Sequence, residues 1–144
     1  MPLSNPYQRY QQTATQTAGS DQLLIMSYEA ILRWLGRAET AIEANHIENA
    51  HTALVSAQDI LRDLKWNLDF SKGGEVAANL GRIYDYLANE LVWANVEKSA
   101  ERIANVRALI QPLLEAWRVA VVKARRERMG SASAAPTAGV VQAG

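Results

Sequence analysis

Ser20-Asp21-Gln22-Leu23-Leu24-Ile25-Met26-Ser27-Tyr28-Glu29-Ala30-Ile31-Leu32-Arg33-Trp34-Leu35 decides how the rest of the chain is read. Leu24, Tyr28, Ile31 and Leu35 recur in steps of four, three and four residues, and Ala38 and Ile42 continue the series. Side chains three and four apart share one face of an α-helix, whereas a half-buried strand alternates at every second residue. The spacing therefore predicts an amphipathic helix with Ser20 as N-cap and Asp21 in its first turn, ending near Ala44.

The same rhythm continues downstream. Ile47, Ala50, Leu54, Ala57, Leu61, Leu64 and Leu68 mark a second helix, and Ser71-Lys72-Gly73-Gly74 breaks it from the next. Val76, Leu80, Ile83, Leu87, Leu91 and Ala94 mark a third. After a short link through Asn95, Ser99 is the expected N-cap of a fourth helix carrying Ile103, Val106, Ile110, Leu113, Trp117, Val121 and Ala124, which Pro112 should bend. Connections this short force sequential helices to run antiparallel. The expected fold is all-α, an antiparallel up-down four-helix bundle over residues 20–129. Residues 1–19 are expected to be an N-terminal capping segment. Residues 130–144, uncharged and rich in Ala, Ser and Gly, are expected to be a disordered tail.

Composition removes whole classes of function. Lys and Arg number 15 against 15 Asp and Glu, so the basic excess of a phosphate-neutralising nucleic-acid binder is missing. Without cysteine there are no disulfides, thiolate metal sites or cysteine nucleophiles. The first 20 residues have one charge, Arg9, and no apolar run, which predicts no secretory leader. No stretch approaches the ~18–20 apolar residues of a membrane span. Cytoplasm is the expected compartment, without membrane insertion. Two Glu-x-x-His pairs, Glu43/His46 and Glu48/His51, have the spacing of di-iron bundles. Both crowd one helix–helix corner, and the stripes hold no acidic residue, so solvated helix ends are the better reading and no metal or cofactor is expected. Lys123, Arg125, Arg126 and Arg128 complement a helix C-terminus. No nucleophile elbow, phosphate loop or dinucleotide fingerprint is present, and the chain is not read as an enzyme.

What remains is surplus apolar surface. Leu23, Met26, Ala30 and Trp34 form a second stripe on the first helix, and Leu23 to Met26 is apolar all round. Tyr86 and Trp93, seven apart, lie off the third helix's stripe. Such surface must be covered in water. Residues 5–17, rich in Gln and Thr with Arg9 as their one charge, could lie over it. Alternatively a partner helix occupies the groove and displaces that segment. In a third reading the bundle self-associates and buries the stripe in a homodimer.

The run Thr17-Ala18-Gly19-Ser20-Asp21-Gln22-Leu23-Leu24-Ile25-Met26-Ser27-Tyr28-Glu29-Ala30 resembles the opening helix of the flagellar secretion chaperones, the FliS family. Tyr7 and Tyr10 stand where that family has its own tyrosines. Ala57-Gln58-Asp59-Ile60-Leu61 with Leu64, Leu68 and Asp69 resembles its second helix. Gly73-Gly74-Glu75, Asn79-Leu80 and Tyr84-Asp85-Tyr86-Leu87 resemble its third, and Asn95 its following turn. Asp21 departs from the family's frequent proline, and the Ala/Ser tail runs past its usual end. The resemblance implies a cytosolic chaperone that binds the C-terminal segment of flagellin, prevents its premature polymerisation and aids delivery to the flagellar type III export apparatus. It implies a cap containing Tyr7 and Tyr10, and a groove of Leu23, Met26, Ile60, Leu64, Leu80, Tyr84 and Leu87. Several of these residues also belong to the main stripes, where plain core packing is the competing assignment. Ordering a client segment costs ~2–5 kcal/mol, which calls for a contact of ~1,000–3,000 Å².

Overall fold

The computed structural model describes residues 20–143, with side chains to residue 130. Four helices follow one another: α1 (Ser20–Glu43), α2 (Ile47–Trp66), α3 (Phe70–Glu97) and α4 (Ala100–Ala143). Among the described residues there is no strand. α1 and α3 each pack against both α2 and α4, while the diagonal pairs stay apart, so the helices stand at the corners of a square. Cross-links fix the antiparallel sense. Glu39 pairs with Arg107 and Glu29 with Arg118 between α1 and α4. Lys65 meets Asp85 between α2 and α3, and His51 meets Asn95 further along the same seam.

The core follows most of the expected stripes, with Leu114 buried in place of Leu113 in α4. Tyr28, Ile31, Leu35 and Ala38 are fully buried, as are Leu54, Ala57 and Leu61, Leu87, Leu91 and Ala94, and Ile103, Val106 and Ile110. Each connection has a local cause. α1 ends where Asn45 takes a left-handed conformation (φ 60°), so that His46 N–H reaches Ala41 O and Asn45 N–H reaches Ile42 O. Lys98 (φ 50°) repeats the device at the end of α3, with Ser99 N–H on Ala94 O. Ser99 then caps α4, its Oγ accepting from Arg102 N–H at 3.2 Å. Asp69 caps α3 by accepting from the amides of Ser71 and Lys72.

Several sequence expectations shift. Ser20 lies within α1, and its role as N-cap turns on residues outside those described. α3 starts at Phe70, and the glycine break survives inside it as Gly74 (φ 53°, ψ −124°), a conformation open to glycine and strained for other residues. Val76, in the turn after this break, is exposed, and Ala77 and Tyr84 take the inward positions. Ile47, in the first turn of α2, is exposed as well. Pro112 sits within α4 without ending it. α4 spans Ala100–Ala143 and so takes in the segment 131–143 that composition assigns to the tail.

Candidate functional site

At the end of the bundle where α1 begins and α2 ends, the four helices leave a cleft of about 440 Å³. Leu23 and Leu24 of α1, Leu64 of α2, Leu68 of the following link, Leu80 and Tyr84 of α3 and Trp117 of α4 line it. Ser20, Ser27, Asn67 and Asp69 supply its polar groups. The first turn of α1 is apolar on every side, so burying its core stripe leaves Leu23 facing the opening. Leu64, Leu68 and Leu80 are partly buried, packed on the core from one side only. The link beside them is flanked by two bare aromatics, Trp66 (87% exposed) at the end of α2 and Phe70 (53%) at the start of α3. Asp69 is the only charged residue in the lining among the described residues, and its hydrogen bonds from Ser71 and Lys72 hold its carboxyl below the usual range.

Three aromatic polar groups converge at this end. Tyr28 and Tyr84 meet hydroxyl to hydroxyl at 2.6 Å, with their rings edge to face. Burial pushes both phenols above the ordinary tyrosine value. The Trp117 indole lies close to the Tyr28 hydroxyl, yet its buried Nε1 has no hydrogen-bond partner.

The cleft unites Leu23, Leu64, Leu80 and Tyr84 from the residues the sequence singles out. Ile60 and Leu87 do not join them, because both are fully buried in the core. Met26 is half-buried on α1 and lies outside the cleft lining. Tyr7 and Tyr10 lie outside the described residues. The second stripe of α1 is less bare than its spacing suggests. Ala30 is buried, and Trp34 packs on the core while Arg37 stacks over its ring at 4.7 Å. Tyr86 (52%) and Trp93 (46%) are exposed. Trp117 reads in the sequence as ordinary core; only its position opposite Tyr28 and Tyr84 marks it out.

A second, more open groove lies between α1 and α2, with Arg33, Arg37 and His46 among its walls. It has the charge and small residues of a solvated helix seam. Among the described residues no three His, Cys, Asp or Glu side chains cluster as a metal site would need. His51 instead shares a 2.8 Å hydrogen bond with Asn95. Two residues of the basic cluster of α4 make contacts within the chain: Arg125 donates to Gln22 at 2.6 Å, and both Arg125 and Arg128 approach Asp21. None of the helices is long and apolar enough to cross a membrane, among the described residues.

Comparison with known proteins matches residues 3–124 to the family model for flagellar protein FliS. The flagellar secretion chaperone FliS of Bacillus subtilis (strain 168) is 33% identical over 131 residues, covering 91% of this chain and 97% of the relative. The Campylobacter jejuni protein of the same name is 37% identical, covering 78% and 88%. The Salmonella typhimurium one is 34% identical, covering 74% and 80%. A crystal structure of a flagellar chaperone from bacteria superposes with a TM-score of 0.69 at 20% identity, over 81% of this chain and 95% of that one, and carries the fold.

Proposed function

The chain belongs to the flagellar protein FliS family, a family of chaperones rather than enzymes, and on that premise we propose that it is a cytosolic chaperone for flagellin. It binds the C-terminal segment of flagellin, blocks polymerisation by occupying that segment, and aids its delivery to the flagellar type III export apparatus. Occupancy alone suffices for this, by mass action and without catalysis.

The observation that supports this reading is the open apolar cleft, to which all four helices contribute at the end where α1 begins. Leu23, Leu64, Leu80 and Tyr84 form the wall that receives apolar side chains of the client. Trp66 and Phe70 extend the apolar surface past the cleft, as a client longer than the cleft requires. The segment 1–19, with Tyr7 and Tyr10, leads into Ser20 at the cleft and serves as the displaceable cover. Met26 contributes from the flank.

Isothermal titration with the C-terminal segment of the same organism's flagellin tests this. The parent protein should bind one segment, and Leu80→Asp should lose binding while keeping its helical circular dichroism. A folded Leu80→Asp protein that binds as the parent does would refute the cleft as the site. A tight dimer by light scattering that ignores the segment would favour self-association through Tyr86 and Trp93.

A further inference from the structure

Where Tyr84 and Trp117 of the cleft lining meet the buried Tyr28, there are more hydrogen-bond donors than the three side chains can use. The Trp117 indole donates only, and each phenol of the Tyr28–Tyr84 pair donates one hydrogen and accepts. The two phenols are already joined at 2.6 Å, and Trp117 Nε1 is buried without an acceptor. Turning the indole onto Tyr28 does not remove the imbalance. A closed ring of three would require the indole nitrogen to accept, so one hydrogen of the trio is left over in every arrangement. Burial keeps both phenols protonated and prevents either from becoming a phenolate acceptor. Buried polar hydrogens without acceptors are rare in folded proteins, and they invite a reading in terms of what they bind.

Building on the cleft as the client site, we propose that Trp117 is a specificity determinant: the client seats apolar side chains in the cleft and turns a neutral carbonyl oxygen, from its backbone or from an Asn or Gln side chain, onto Trp117 Nε1. The lining chooses between acceptors. Among the described residues it holds Asp69 and no Lys, Arg or His. A carboxylate guest would be desolvated beside a like charge with no cation to receive it, whereas an amide oxygen brings no net charge. A purely apolar guest would leave the buried indole N–H without an acceptor. The preferred client therefore has an amide oxygen in register with its apolar side chains.

Two measurements on the full chain test this with the flagellin C-terminal segment as probe. In titration calorimetry, Trp117→Phe should weaken binding about tenfold, which is about 1.4 kcal/mol. The Tm of the free variant should stay level or rise, because the change deletes an unpartnered buried donor. In ¹H–¹⁵N spectra, the indole resonance that Trp117→Phe removes should move downfield in the parent when the segment is saturating. Leu80→Asp, run in parallel, separates the two layers. If Trp117→Phe binds within twofold of the parent while Leu80→Asp does not bind, the donor proposal fails and the cleft stands. If both bind as the parent, the cleft reading fails and the donor proposal with it. A loss of affinity matched by a loss of Tm would assign Trp117 to packing and overturn the proposal. So would an indole resonance that stays still, or one already downfield in the free protein, where the acceptor would be water or the chain's own segment 1–19. Should Trp117→Phe not fold, the spectra of the parent decide, with the resonance assigned by through-bond experiments.

Discussion

The hydroxyls of Tyr28 on α1 and Tyr84 on α3 meet at 2.6 Å, joining two helices whose backbones do not otherwise approach. Both residues are almost wholly buried, 0% and 2% exposed. The bond closes the core immediately behind the cleft, so whatever enters meets a fixed wall rather than a soft one.

Removing one hydroxyl strands the other. Tyr84→Phe should cost about 1 kcal/mol, a fall in Tm of roughly 3 °C for a bundle of this size. Thermal unfolding by circular dichroism measures it, and an unchanged Tm would mean that water replaces the lost partner.

The same pair makes stability fall in alkali. Burial holds both phenols above their ordinary value of about 10, so the folded state favours the protonated forms. Their contribution is complete below pH ~10, the unfolded value, and is lost as pH rises beyond it and the unfolded chain ionises first. Denaturant titrations above pH 10 should show this decline in the parent and a shallower one in the Tyr28→Phe, Tyr84→Phe double variant. Equal slopes would contradict it.

Asp69 gives the opposite limb. Its carboxyl is held low by Ser71 and by the Lys72 amide, so its contribution is present above the ordinary carboxylate value and disappears as pH falls below ~4. Asp69→Ala should speed hydrogen exchange at the Ser71 and Lys72 amides at neutral pH and leave the middle of α3 protected. Unaltered exchange at those two amides would show that the cap is dispensable.

Along the α1–α4 seam Arg107 grips Glu39 through two hydrogen bonds, at 2.5 and 2.6 Å. Each side chain is about a third exposed, and solvent screening keeps the worth of such a pair near 0.5–1 kcal/mol. Glu39→Gln should lose about that much at low ionic strength and less in 1 M salt. A loss of several kcal/mol, or one indifferent to salt, would call for a different explanation.

Core and cleft residues should separate cleanly under mutation. Ile60 is fully buried, so Ile60→Ala should destabilise by ~2–5 kcal/mol through the cavity it leaves. Leu23 is half-buried in the cleft wall, so Leu23→Asp should leave the bundle folded and weaken capture of flagellin. Paired denaturation and pull-down assays distinguish the two, and the reverse ranking would mean that the cleft wall is structural core.

The four-helix architecture was legible because every stripe steps in threes and fours and every link is short. Helix ends were less so. Val76 and Ile47 obey the period, yet Ile47 opens α2 and Val76 follows the Gly74 break, and both are exposed, which periodicity alone does not reveal. Four of the cleft's seven Leu, Tyr and Trp lining residues, Leu23, Leu64, Leu80 and Tyr84, are among those the sequence singles out, by resemblance as much as by pattern. Ile60 and Leu87 share the chemistry of those residues but face the centre, and a single apolar position has no sequence mark that says which side its neighbours leave open. Trp117 escaped for a related reason. Its importance lies in an unmet donor, a property of three residues on three helices rather than of any one stretch.

Hydrogen exchange of the full chain, alone and saturated with the C-terminal segment of its flagellin, locates the client most directly. New protection should concentrate in the first turns of α1, the end of α2, the stretch of α3 around Leu80 and Tyr84, and α4 at Trp117. Protection confined to the Tyr86–Trp93 face of α3, with those four stretches exchanging as in the free protein, would contradict it.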